Sequence, residues 1–307
     1  MIALTCPGQG AQTPGFLAPW LESKSFQAAI EKYSSILEMD LVHFGTKADA
    51  DQIKDTRIAQ PLIVAASMAS FEVLKEALGG TSMFSGVAGH SVGEIAAANI
   101  AGILDTQAAL RFVKARGEQM ASAASLEPSS MAAVVGGEQD EVLEYLSSLD
   151  LFAANYNGKG QIVAAGSAIN IQELVANPLT GTRVVSLAVA GAFHTTFMES
   201  AKVELLSLAN SMETSNPELI IWSNSDGSRI DSGERFLELL IDQVSKPVRW
   251  DTTMESMAND GVSAVIELLP GGTLTAIAKR SMPGVSTMAL KSPEDLEKAI
   301  SFVRENG

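Results

Sequence analysis

Ser91 stands in the run Gly89-His90-Ser91-Val92-Gly93-Glu94, behind the β-rich Met83–Ala88 and ahead of the alanine-rich Val92–Ile100. Strand, sharp turn and helix are the setting in which a G-x-S-x-G serine serves as a nucleophile. The reason is steric. A serine at the tip of so tight a turn leaves no room for nearby Cβ atoms, so glycines flank it at ±2. Its hydroxyl then stands at the positive end of the following helix. The bland alternative is a plain βα turn. A serine nucleophile needs a base, and the chain has only three histidines, His43, His90 and His194. His90 adjoins Ser91, and neighbouring side chains at an elbow diverge. His43 lies in an amphipathic stretch. His194 is left as the candidate base, against the alternative of a structural histidine.

Two further features bear on chemistry. Phe112, Arg116 and Met120 recur at i, i+4, i+8 of a helical run from Asp105 to Ala124, with Val113 on the same face. A lone charge in an apolar stripe is costly, so Arg116 requires a partner. That partner is either an acid elsewhere in the chain or the carboxylate of a ligand, which suits the planar guanidinium fork. Pro7-Gly8-Gln9-Gly10 is either an ordinary turn or a loop that brings backbone and amide close to a ligand. It lacks the Lys-Ser/Thr of a phosphate loop, and no G-x-G-x-x-G opens a helix after a strand, so no nucleotide cofactor is indicated. No metal-ligand cluster is visible.

The elements that must position these residues alternate. Met1–Cys6 reads as a buried strand, and Gln60-Pro61 precedes a long apolar helix to Leu78, with Pro61 expected in its first turn. Met131–Val135, Asp140–Ser148, Leu151–Asn155, Gln161–Ala165, Asn170–Ala176 and Arg183–Val189 give β-α-β-β-α-β, the ferredoxin-like order. Strands and helices continue to alternate after residue 190, with strands at Leu219–Trp222, Val262–Leu269 and Val285–Leu290. The expected fold is therefore α/β, with a large domain from residues 1–128 and 190–307 and a small inserted one over 129–189.

Composition sets bounds. The 307 residues are 46% hydrophobic and 19% charged, as a compact globular chain requires. A net charge of −15 argues against nucleic-acid binding. One cysteine, Cys6, permits no intrachain disulfide. Neither a leader-like N-terminus nor an uninterrupted apolar run of about 18 residues is present, so a cytoplasmic protein without membrane association is expected.

In chain order, Pro7-Gly8-Gln9-Gly10-Ala11-Gln12, Gln60-Pro61, Gly89-His90-Ser91-Val92-Gly93-Glu94, Arg116-Gly117, Asn157 with Gly160-Gln161, Phe193-His194 and Gln243 before Pro247-Val248 resemble the malonyl-CoA:acyl carrier protein transacylase family. The resemblance spans nearly the whole chain. It implies an α/β-hydrolase-like large domain with a ferredoxin-like insertion, and malonyl transfer from malonyl-CoA to the phosphopantetheine thiol of acyl carrier protein through a malonyl-serine ester. By the same resemblance Ser91 is the nucleophile and His194 its base, oriented by the Gln243 main-chain carbonyl. Gln9 and the Val92 amide form the oxyanion hole, and Arg116 pairs with the malonyl carboxylate. Asn157 and Gln161 line the thioester channel, Gln60 lies near the acyl group, and Phe193 favours malonyl over methylmalonyl. No cofactor is implied beyond the substrate and the carrier's phosphopantetheine, and a monomer is expected. Gly191-Ala192, Val92 and Leu269-Pro270-Gly271-Gly272 depart from the family pattern without touching these roles. An acidic carrier requires a basic patch on this acidic chain. Lys159, Lys246, Arg249, Lys279 and Arg280 are the candidates, against the alternative of scattered solvated charges.

Three other readings compete. A serine hydrolase or thioesterase of similar architecture places its histidine late in the chain, whereas His194 lies mid-chain. The malonyltransferase subunit of a malonate decarboxylase, or a polyketide enzyme, would share the same chemistry. A docking protein without chemistry would not need Ser91, His194, Gln9 and Arg116 together.

Overall fold

A computed structural model describes residues 1–189 and 191–307; the expected domain boundary at 190 lies outside the described residues. The strands are β1 Ile2–Cys6, β2 Phe84–Gly89, β3 Ser129–Gly136, β4 Phe152–Tyr156, β5 Gln161–Ser167, β6 Thr182–Ser186, β7 Ile220–Trp222, β8 Val248–Arg249, β9 Ala264–Glu267 and β10 Ser286–Ala289. They form two five-stranded sheets, ordered β10-β9-β1-β2-β7 and β6-β3-β5-β4-β8.

The first sheet is parallel throughout. Every residue of β1 and β9 is buried, which is why both read as unbroken apolar runs and not as alternating ones. Helices cover both faces, and the carboxyl ends of β1, β2, β7 and β9 come out along one edge. Ligands of open α/β sheets bind outside that edge. Here it carries Pro7-Gly8-Gln9, the Ser91 turn, and Ser223-Asn224.

The second sheet has the ferredoxin-like order β6-β3-β5-β4, antiparallel throughout, with the Gln139–Ser148 and Ala168–Ala176 helices packed on it. Its own small core includes Val134, Val142, Leu146, Ile162 and Leu174. One addition was not expected. β8, which follows the Gln243–Ser245 turn of the large unit, pairs in parallel with β4 through Asn155–Val248 and Tyr156–Arg249. The chain is thus an α/β-hydrolase-like unit carrying a ferredoxin-like insertion that shares a strand with its host.

The Thr56–Leu78 helix corrects two expectations. It begins a turn earlier than Gln60-Pro61, because Asp55 caps it by accepting the Arg57 N–H at 2.9 Å. Pro61 therefore lies in its second turn, where it removes one helical N–H bond instead of filling a vacant first-turn position. The helix is also long and apolar enough to cross a membrane by length and composition, although the uninterrupted apolar run is shorter. Most of it is buried in the large core beneath the sheet, with Leu62, Ile63 and Leu74 inaccessible. At about 1.5–3 kcal/mol for each such side chain, this helix is among the main contributors to stability.

Candidate active site

The site is built at the carboxyl ends of β1 and β2. A Cβ on Gly89 would collide with the Gly93 and Glu94 backbone, and one on Gly93 would collide with Cys6 O. Only glycine at both positions lets the turn close and lets the Gly93–Ile100 helix lie against β1. Ser91 itself has φ +53°, a strained left-handed conformation for a residue with a side chain. Asn224 pins it there. Its Oδ1 accepts the Ser91 N–H at 2.8 Å, and its Nδ2 donates to Gly89 O at 2.8 Å, so one side chain brackets the turn.

His194 is likewise left-handed, at φ +62°, with its N–H held by Val244 O at 3.1 Å. Its ring Nδ1 lies 2.7 Å from the Gln243 main-chain carbonyl, and its Nε2 2.7 Å from Ser91 Oγ. A carbonyl only accepts, so Nδ1 carries the proton and Nε2 is left to accept the Ser91 hydroxyl proton. Burial, and next the positive charge of Arg116, hold the imidazole pKa down to about 3. The ring is therefore neutral and able to take a proton at neutral pH. His90 does diverge from Ser91. It turns to the small domain, where its Nε2 lies 3.0 Å from Asn157 Oδ1, and its ring meets Trp250 edge-on.

Arg116 is buried without an acid against it: among the described residues no ion pair includes it. Two neutral amides hold it instead. Nη1 donates to Gln60 Oε1 and Nη2 to Gln243 Oε1, both at 2.8 Å. Nη2 also points at Ser91 Oγ, 3.4 Å away, and the buried Nε has no partner. Burial pulls its pKa down to about 10, partly offset by the Glu94 charge, so it stays cationic. A buried, charged and incompletely satisfied guanidinium beside a nucleophile is a receptor for an anion.

The cavity over Ser91 has a volume of about 240 Å³. Gln9, Gln60, Asn157, Gln161, Phe193 and His194 all line it, while Arg116 lies behind the wall, reached through Gln60 and Ser91. Gln9 differs in detail. Its side-chain amide is committed to Lys54 O at 3.4 Å and Thr56 Oγ1 at 3.3 Å. No hydrogen bond joins its main-chain N–H, or that of Val92, to another described residue, so these are the donors left for an oxyanion. The far wall, Met131, Ala133 and Val163 from the small sheet and Leu274 and Ile277 from the Thr273–Ser281 helix, was not read from sequence. Glu267 fixes that helix by accepting the N–H groups of Gly272, Leu274 and Thr275 at 2.8–2.9 Å.

Glu94 and Asn224 were missed as site residues. Both are buried, and the signal was present in Glu94, an acid in the first turn of an otherwise apolar helix. The five basic candidates divide. Lys246 is paired with Asp242 at 2.7 Å, and Arg249 with Asp251 at 2.9 Å while lying over the Tyr156 ring. Lys159, Lys279 and Arg280 make no ion pair with a described residue, and Arg280 Nη2 reaches Gln161 Oε1 at 3.0 Å at the cavity wall.

Residues 4–293 match the family model described as "Acyl transferase domain". Over 300 residues the chain is 43% identical to the malonyl CoA-acyl carrier protein transacylase of Mycobacterium tuberculosis, covering 97% of this chain and 99% of that one. The crystal structure of MCAT from that organism superposes with a TM-score of 0.93 at 42% identity, over 98% of this chain and 99% of that one. A type II PKS acyl-carrier protein in complex with its malonyl-transacylase gives the same TM-score at 28% identity, over 98% and 99%. With a neutral histidine and a buried arginine free of any ion pair both meeting the Ser91 hydroxyl, and with likeness of this extent, the chain belongs to the malonyl CoA-acyl carrier protein transacylase family.

Proposed function

We propose that this protein moves a malonyl group from malonyl-CoA to the phosphopantetheine thiol of acyl carrier protein by way of an ester on Ser91. The observation that carries the assignment of roles is the placement of Arg116 Nη2 and His194 Nε2 on either side of Ser91 Oγ, at 3.4 and 2.7 Å. His194 takes the hydroxyl proton as Ser91 Oγ attacks the thioester carbonyl. The tetrahedral oxyanion is received by the main-chain N–H groups of Val92 and Gln9, each contributing on the order of 3 kcal/mol in comparable acyl transfers. His194 then returns the proton to the departing CoA thiolate. In the second half the carrier thiol attacks the ester, His194 serves first as base and then as acid, and Ser91 is regenerated.

Arg116 accounts for the choice of acyl group. The carboxylate of the malonyl group completes the hydrogen bonding of a guanidinium that the protein leaves short. Asn157 and Gln161 line the path of the pantetheine arm, and Gln60 holds Arg116 in place. Docking of an acidic carrier falls to Lys159, Lys279 and Arg280, the candidate cations free of ion pairs with described residues, with Arg280 beside Gln161. The pathway served is fatty-acid synthesis, in a cytoplasmic setting with no cofactor of the protein's own.

Intact mass after brief mixing with malonyl-CoA tests the reading. A malonyl adduct should form on the wild type and be discharged by carrier protein much faster than by water. An adduct lost equally fast to water would indicate a hydrolase instead. Phe193, buried at the cavity wall next to His194, sets the room at the acyl C2. A Phe193→Ser variant should gain methylmalonyl transfer, by about ten-fold for relief of one methyl clash; no gain in a competition assay would remove Phe193 from selectivity.

A further inference from the structure

Gln243 touches both halves of the chemistry. Its main-chain carbonyl holds His194, and its side-chain amide lies between Arg116 and Glu94. Which way round that amide sits is decided by its neighbours. Arg116 has only donors, so the group facing it must be Oε1. At the other end Nε2 meets acceptors alone: Glu94 Oε2, Asn224 Oδ1 at 3.2 Å and Ser91 O at 3.3 Å. Glu94 Oε1 in turn accepts the Asn224 N–H at 2.7 Å. Both carboxyl oxygens thus face N–H donors; burial pushes the Glu94 pKa up to about 8, and the Asn224 N–H, the Arg116 charge and the Gln243 amide pull against that shift.

We propose that Glu94 is a positioning residue for acyl-group selection: it turns the Gln243 amide oxygen onto Arg116 and so keeps the guanidinium in its anion-receiving pose. The inference rests on the reading of Arg116 as the carboxylate receptor. The geometry resolves a conflict inherent in such a receptor. A buried cation with no countercharge is costly, yet an acid bonded directly to it would occupy the place of the substrate. Interposing one glutamine puts an acid within Coulombic reach of Arg116 and leaves its outer N–H groups open. Glu94 never touches the acyl group. It lies three residues past Ser91 in the first turn of a helix, so its position is fixed by the same turn that fixes the nucleophile.

Glu94→Gln tests this. A glutamine there must present an N–H to one of two existing donors, which Gln243 relieves only by reversing its own amide and aiming an N–H group at Arg116. The kcat/KM for malonyl-CoA should fall about 30-fold or more, chiefly through KM, while Ser91 acylation by p-nitrophenyl acetate, which lacks a carboxylate, changes less than about three-fold. Glu94→Met, which fills a similar volume and removes both acceptors, should show the same selective loss and decides the matter alone if Glu94→Gln does not fold. Equal losses with both substrates, or wild-type selectivity in either folded variant, would overturn the proposal. Arg116→Ala separates the two levels. If it leaves selectivity intact, the receptor reading itself fails; if it is selective while the other two are not, only the role of Glu94 fails.

Discussion

Arg116→Ala should lose about 10²- to 10³-fold in kcat/KM for malonyl-CoA and little with acetyl-CoA. The estimate follows from truncating one partner of a buried, charge-assisted pair, at about 3–4 kcal/mol. The direction with the neutral substrate follows from what remains. Removing the cation takes away a charge that desolvates unfavourably and a donor aimed at Ser91 Oγ from 3.4 Å, without disturbing the 2.7 Å contact of the hydroxyl with His194. Gln60 Oε1 and Gln243 Oε1 each lose a donor, so part of the cost will appear as lower thermal stability. Single-turnover acylation with the two CoA esters measures the ratio directly. An unchanged malonyl-to-acetyl ratio would show that the carboxylate is received elsewhere.

His194→Ala should slow Ser91 acylation by about 10⁶-fold, as removal of the base does in other serine acyl-transfer sites. The wild-type pH profile carries the complementary information. The His194 pKa is depressed, first by burial and then by Arg116, to about 3. The base form of the free enzyme is then complete well above that value, so kcat/KM for acylation should show no inflection near the ordinary histidine value of about 6.5. For stability the sign is the same. Between about 6.5 and 3 the unfolded chain binds a proton that the folded one refuses, so the contribution is whole above 6.5 and drains away as pH falls toward 3. Stopped-flow acylation across this range, paired with urea melts, reads both. A midpoint near 6.5 in the rate would mean that the ring is wet and ordinary.

What the sequence disclosed tracks the range over which each feature acts. The Ser91 turn was legible because its constraint is local: two glycines within two positions, demanded by sterics. Arg116 was legible as an anomaly, a charge in an apolar stripe, but its two possible partners were separable only by a fold that shows amides and no acid around it. Asn224 was not legible, and Glu94 showed only as an acid in the first turn of a mostly apolar helix. They act on the turn and on Gln243 through hydrogen bonds between residues more than a hundred positions apart, such as Asn224 N to Glu94 across 130. The ferredoxin-like order was readable because each of its elements has its own period and its own turn. β8 was not, since two residues after a proline have no period at all. Pro61 misled because first-turn preference is a strong local rule, here overridden by the Asp55 cap five residues upstream of Gln60.

The strand shared between the two sheets bears on how this enzyme can be re-engineered. β8 leaves the large unit five residues after Gln243 and ends beside Tyr156, one residue before the Asn157 that bonds His90. The module that forms one wall of the Ser91 cavity is therefore discontinuous in sequence. A chimera that exchanges residues 129–189 alone would set a foreign β4 against a native β8, at the spot from which the carbonyl orienting His194 is suspended. The transplantable piece is the insertion together with the segment from Gln243 to Arg249.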